Sequence, residues 1–281
     1  MKKFFFFAVL LTLQGCSTFL FYPEKKYVLT PAAFKLPYED VAVKTADGLT
    51  LRGWLLKSCS IDDAAETEPK GVIVFLHGNA ENISTHIAGV LWLALEGYHV
   101  LAVDYRGFGA SDGKATLSGA QKDAQAITAY ALERFPDQSV FVLGQSIGGA
   151  IALSAVDTFA DKDKLAAVVI DSAFSSTRRI ARDKLGAVWL TWPFQYPISW
   201  TVAENDPEKH AASLTLPKLF LTAQDDSVVP SYHTQRLFEN AAEPKNLIVL
   251  QDAVCHICSL QDKSVRLRVL DFLEQNRKAP F

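Results

Sequence analysis

The chain of 281 residues has no excess of positive charge: 28 Lys and Arg stand against 31 Asp and Glu, a formal net charge of -3. A nucleic-acid partner would usually show as a basic stripe, and none is present. There is no internal repeat and no low-complexity run, which removes solenoids and wholesale disorder. Cysteine is scarce, with four in all. Cys255-His256-Ile257-Cys258 has C-x-x-C spacing, but no second pair exists to complete a zinc site. Long apolar runs are also missing. Phe4 to Leu13 is the most apolar stretch, and it is too short to span a bilayer. What remains is ordinary globular composition, 49% hydrophobic and 21% charged, in a length that suits one large domain.

Lys2 and Lys3 precede the apolar run, and Leu13-Gln14-Gly15-Cys16 ends it. A positive n-region followed by a short apolar h-region reads as a signal peptide. The last four residues resemble the lipobox of bacterial lipoproteins, with Gln14 an unusual occupant. That resemblance implies a signal peptide over 1–15, lipidation of Cys16, and a lipid-attached tether over 16–37. The second reading is an uncleaved anchor, since Phe4 to Tyr22 carries no charge. Either way the paired lysines stay inside. The expected location is the cell envelope, on a membrane, facing away from the cytoplasm. Two readings stay open for Cys59, Cys255 and Cys258: small buried or half-buried thiols, or a disulfide between Cys59 and one of the pair.

The domain itself is expected over 38–281. Val41 and Val43 alternate with polar neighbours, Asp47-Gly48 supplies a turn, and Leu49, Leu51 and Trp54 open a second run, which is a β-hairpin signal. Val72 to Leu76 is continuously apolar, as in a strand buried on both faces. Helices are expected near 85–96, 118–134, 147–158, 231–240 and 261–274. Strands are expected near 99–104, 140–143, 165–170, 218–222 and 246–250. Strands alternating with helices of this length imply βαβ units, a mostly parallel sheet of about eight strands, and helices on both faces. Residues 174–215 break the rhythm as an insertion.

Gly144-Gln145-Ser146-Ile147-Gly148 is a G-x-S-x-G motif between an apolar strand and an Ala-rich helical segment. The turn is tight, so small residues must flank the serine. Ser146 then stands at the carboxyl edge of the sheet, at the start of a helix whose N-terminus stabilises negative charge. The motif in this context makes Ser146 the candidate nucleophile.

His77-Gly78-Asn79 follows the strand 72–76, and Asp104-Tyr105-Arg106-Gly107-Phe108-Gly109-Ala110-Ser111 follows the next. With these motifs the chain resembles the α/β-hydrolase superfamily over roughly residues 38 to 275. The likeness is to a branch of small serine hydrolases that includes bacterial membrane-bound enzymes, protein depalmitoylases and serine aminopeptidase-like hydrolases. The resemblance implies oxyanion-hole amides at Asn79 and Ile147, while His77 is read as a brace for its loop. It also implies a triad in the order Ser, acid, His. Asp225-Asp226-Ser227-Val228-Val229-Pro230 is similar to the family's D-x-x-V-P, whose register puts the acid at Asp226. Asp225 and Asp171 stay open as alternatives. The base is expected at His256, in a setting that departs from the family's Gly-rich G-G-H-N. His233 is read as a surface residue of a helix.

The resemblance implies a serine hydrolase that cleaves carboxylic ester or thioester bonds through an acyl-enzyme. No cofactor and no metal is implied. A small acyl ester or thioester is the expected substrate, with acylated proteins and lipids among the candidates. A peptidase or acyltransferase with the same triad, and a non-catalytic binding lipoprotein on the same fold, are the alternatives. The insertion over 174–215 is expected to form a cap. Its Trp189, Trp192 and Trp200 suggest an apolar acyl group, although packing of the cap onto the core is the preferred reading. Arg178, Arg179, Arg182 and Lys184 are read as the solvated face of the cap helix.

Overall fold

The computed structural model describes residues 21–62, 64–202 and 206–278. The signal segment over 1–15 and Cys16 lie outside the described residues. Ten strands are assigned in chain order: β1 (Tyr22–Pro23), β2 (Tyr38–Lys44), β3 (Thr50–Leu56), β4 (Gly71–Leu76), β5 (Ala80–Glu81), β6 (Tyr98–Val103), β7 (Val140–Gln145), β8 (Ala167–Asp171), β9 (Lys218–Ala223) and β10 (Lys245–Leu250). Nine α-helices accompany them: α1 (Ile83–His86), α2 (Trp92–Leu95), α3 (Leu117–Arg134), α4 (Ile147–Asp157), α5 (Thr177–Gly186), α6 (Gln195–Thr201), α7 (Pro207–Ser213), α8 (Tyr232–Asn240) and α9 (Lys263–Gln275).

Eight strands form one sheet in the order β10-β9-β8-β7-β4-β6-β3-β2. From β10 to β6 every pairing is parallel, and β3 and β2 join antiparallel as the hairpin. All six residues of β4 are buried. Its side chains alternate between two cores. Val72, Val74 and Leu76 pack with α3 and α4 residues such as Ile127 and Ile151. Ile73 and Phe75 pack with α2 and α9 residues such as Leu93 and Val269. Each fully buried aliphatic or Phe side chain here contributes roughly 1.5–3 kcal/mol. A charge in place of Val74 would have no solvated side to turn to.

Helix starts follow local chemistry. Thr116 accepts the Gly119 amide at the head of α3, and Asp262 accepts the Ser264 and Val265 amides at the head of α9. The helix expected over 85–96 is instead two single turns, α1 and α2, with a 3-10 turn at Ile87–Gly89 between them. Residues 21–37, read as part of a tether, pack on the domain. Phe21 is buried, Tyr22–Pro23 pairs with Ala80–Glu81, and the Tyr27 hydroxyl donates to Asp104 Oδ2 at 3.0 Å. Among the described residues no helix is long and apolar enough to cross a membrane.

Because β4 and β6 to β10 run the same way, their carboxyl ends share one edge. The loops leaving that edge carry His77-Gly78-Asn79, Ser146, Asp171, Asp226 and the β10–α9 connection with His256.

Candidate active site

The turn from β7 to α4 holds Ser146 at φ 56, ψ -122, a conformation a non-glycine residue adopts only when its surroundings force it. Those surroundings are specific. A Cβ on Gly144 would lie 2.4 Å from the Gly148 carbonyl oxygen, and a Cβ on Gly148 would lie 2.1 Å from the Leu76 carbonyl oxygen. The two glycines of the motif therefore let the turn close on itself and on the end of β4. The Ser146 amide donates to the Asp171 carbonyl at 2.8 Å, which ties the turn to β8. Ile147 is the first residue of α4, so its amide has no partner within the helix.

Two strands along the sheet from β7, the β9–α8 loop buries Asp226 at 4% exposure. One carboxylate oxygen, Oδ1, accepts the Val228 and Val229 amides at 2.8 and 2.9 Å. The other, Oδ2, lies 2.7 Å from Nδ1 of His256. An ionised carboxylate only accepts, so Nδ1 carries the proton and Nε2 is left as the basic nitrogen. Two backbone amides thus aim the carboxylate, and the carboxylate fixes the imidazole tautomer. Asp225, one residue earlier, is exposed. Asp171 is fully buried, and its carboxylate takes the Gln145 side-chain amide at 3.0 Å and the Ser172 hydroxyl at 3.2 Å. Burial raises its pKa, with those hydrogen bonds and the charge of nearby His256 working the other way. Of the three candidate acids, it is Asp226 that the structure brings to His256.

His77 is buried and lies tilted against Tyr105, with ring centroids 4.4 Å apart and Nδ1 2.8 Å from the Gly78 carbonyl. Burial drives its pKa down to about 3, so the ring is neutral and braces its loop. Asn79 follows, half-buried, with its side-chain oxygen lacking a hydrogen-bond partner. Asp104 supports this loop from below. Its Oδ1 accepts the Ile83 amide at 2.8 Å, and burial lifts its pKa to about 7. Arg106 is clamped between Asp123 and Asp47, and the Ser111 hydroxyl donates to the Asp104 carbonyl at 2.7 Å. The second motif is therefore scaffold for the site.

Several sequence expectations need correction. Cys255 and Cys258 are bonded to each other across His256, with Cα atoms 5.9 Å apart, while Cys59 is free and buried. The expected disulfide through Cys59 is therefore not formed, because Cys255 and Cys258 take each other as partners. His233 is fully buried, not a surface residue. Its Nδ1 accepts the Ser175 amide at 3.2 Å, and its Nε2 is 2.9 Å from Asp183 of α5. Arg178, Arg179 and Arg182 are half-buried, because α6 and α7 fold back beside α5 and line a cavity with them. The cap aromatics, expected to pack inward, are largely exposed: Trp189 at 84%, Trp192 at 60% and Trp200 at 67%. The signal for the disulfide was the C-x-x-C spacing itself. Nothing in the local sequence showed that His233 is buried or that Asp104, the first residue of its motif, supports the His77 loop.

The profile of the family described as serine aminopeptidase, S33, matches residues 67–206. The Escherichia coli K12 protein YfhR is 31% identical over 274 residues, covering 95% of this chain and 90% of its own. The Arabidopsis thaliana α/β-hydrolase domain-containing protein WAV2 is 30% identical, covering 78% of this chain and 71% of its own. An esterase from Pyrococcus furiosus superposes with a TM-score of 0.72 at 22% identity, over 92% of this chain and 97% of that one, a likeness of fold. Sheet order, the β7–α4 turn and these relatives together make the chain a member of the α/β-hydrolase superfamily.

Proposed function

We propose that the protein is a serine hydrolase that cleaves carboxylic ester or thioester bonds with Ser146, His256 and Asp226. His256 Nε2 takes the proton of Ser146 Oγ as the oxygen attacks the acyl carbon. The tetrahedral oxyanion is held by the Asn79 and Ile147 amides, donors that are already in position when charge develops. Collapse expels the alcohol or thiol, which receives the proton from His256. Water then attacks the acyl-enzyme with His256 again as base. Asp226 stabilises the imidazolium throughout without taking its proton. The observation that carries the reading is the 2.7 Å contact between Asp226 and His256 in a fold whose β7–α4 turn holds Ser146 at positive φ.

The second reading is an aminopeptidase with the same residues, favoured by the serine aminopeptidase profile. A panel of p-nitrophenyl esters, acyl thioesters and aminoacyl amides separates the two. Turnover of esters and thioesters with slow amide cleavage supports the first reading, and the reverse ranking supports the second. A chain that turns over none of them and ignores a fluorophosphonate probe is a binding protein. We further propose that a lipid on Cys16 tethers this activity to the outer side of a membrane, a reading supported by Lys2-Lys3, the apolar run and Leu13-Gln14-Gly15-Cys16.

A further inference from the structure

The cap carries an unpartnered surface of unusual chemistry. Between the end of α5 and the end of α6, Trp189, Leu190, Trp192, Phe194 and Trp200 are all at least 56% exposed. Soluble surfaces seldom gather so much exposed aromatic and aliphatic area without a use for it. Trp200 also lines a cavity of about 500 Å³ between α5, α7 and α8. Five Arg and Lys side chains line that cavity, against Asp206 and Glu208. Arg179 and Arg236 share Glu208, at 3.8 and 2.7 Å, so one carboxylate serves two guanidinium groups. Arg182 lies over the Tyr196 ring at 4.7 Å, and the Nε atoms of Arg179 and Arg182 are buried without a hydrogen-bond partner.

We propose that this cap surface docks on an anionic phospholipid bilayer, with its tryptophans at the headgroup level and the arginine-lined cavity receiving lipid phosphate. Tryptophan beside arginine is the pairing that a bilayer interface selects, because the ring sits between water and hydrocarbon while the guanidinium meets phosphate. A second copy of the chain fits less well, since a symmetric contact would set two cationic cavities against each other. The point at which the described residues begin favours the bilayer too. The apolar run Phe4 to Leu13 leads to Tyr22–Pro23, which lies against Ala80–Glu81 just past the carboxyl end of β4. The cap leaves the carboxyl end of β8 on that same edge. The described residues therefore begin at the sheet edge that also carries the cap, and a chain anchored through the residues before them needs only a local rotation to seat the cap. On the hydrolase reading, which this last point rests on, the mouth above Ser146 faces lipid and the substrates are acyl chains presented from a bilayer.

The test uses the full chain reconstituted into phosphatidylcholine vesicles with and without phosphatidylglycerol, their acyl chains brominated to quench tryptophan. Trp54 and Trp92 are buried, so they contribute little quenchable signal. Strong quenching in the anionic vesicles is expected. The triple variant Trp189→Phe, Trp192→Phe, Trp200→Phe should lose it while still floating with the vesicles and keeping the circular dichroism of the parent. Arg179→Gln with Arg182→Gln should abolish the difference between anionic and zwitterionic vesicles. Ser146→Ala should quench like the parent, so a failed hydrolase reading leaves this result intact. An anchored parent chain that shows no quenching overturns the proposal, as does quenching indifferent to the arginine pair. Burial of the cap tryptophans in a vesicle-independent dimer overturns it too.

Discussion

Among single residues, the groups that touch His256 decide the chemistry. Asp226 contacts it and Asp225 is exposed, so the two substitutions to Asn should separate widely. Asp226→Asn should lower kcat/KM by roughly 10⁴-fold, as loss of the tautomer-fixing carboxylate does elsewhere, with Asp225→Asn close to the parent. Equal losses in steady-state ester hydrolysis would contradict the assignment. The disulfide gives a second contrast. Cys255 and Cys258 close a short loop around His256 and Ile257, and Ile257 sits at φ 51. Freed from that link, the imidazole should sample positions about an ångström away, enough for a loss of up to ~10²-fold. We therefore expect Cys255→Ser with Cys258→Ser, and reduction of the parent with dithiothreitol, to lower kcat with little change in KM. Cys59→Ser should change neither kcat nor its sensitivity to reductant. A parent enzyme whose kcat is untouched by verified reduction would show that the link does not position the base.

At the level of elements, the buried imidazole of His233 helps to fasten the cap to α8. Asp183 of α5 binds both the Tyr232 hydroxyl and His233. Burial depresses the His233 pKa to about 4, with Asp183 opposing the shift and Arg179 and Lys184 adding to it. The unfolded chain therefore takes up this proton first as pH falls below about 6.5. Stability is present above that pH and is lost down to about 4, with a slope of up to about 1.4 kcal/mol per pH unit from one proton. His77 acts in the same sense, with its pKa near 3. Asp104, lifted to about 7, works in the opposite sense over the same window, so the His233 contribution is read as a difference: between pH 7 and 4 the urea midpoint of the parent should drop relative to that of His233→Asn, at similar slope m. An unchanged pH dependence in that variant would contradict the linkage. The strands and the long helices were legible in the sequence because buried strands read as continuous apolar runs, as in β4, and α3 carries apolar residues at helical spacing. His233 was not. Helical periodicity says which residues share a face, but what covers that face depends on α5, which arrives from a distant part of the chain. The 85–96 stretch failed for a related reason, since Gly89 and local 3-10 geometry break a run that propensity alone would continue.

At the scale of the whole molecule, the parallel sheet gathers loops from five strands at one edge, and that is why a site spread from Asn79 to His256 can form. The G-x-S-x-G and D-x-x-V-P registers could be read because each follows the end of an apolar strand, and the contact between Asp226 and His256 agrees with the second of them. The exposure of the cap aromatics was not readable, because composition does not say whether a tryptophan faces core or solvent. The N-terminal reading makes its own prediction. Cys16→Ser should leave ester turnover by the purified domain unchanged but remove lipid from the mature N-terminus, as seen by mass spectrometry. An unlipidated parent chain beginning at Met1 would favour a spanning anchor instead. Covalent labelling tests whether Ser146 is the nucleophile. Intact parent protein treated with a fluorophosphonate should gain one adduct, mapped by peptide mass spectrometry to Ser146, while Ser146→Ala gains none and loses ester hydrolysis by 10³-fold or more, on the order of triad losses measured elsewhere. An adduct on another residue, or undiminished hydrolysis by purified Ser146→Ala, would contradict it.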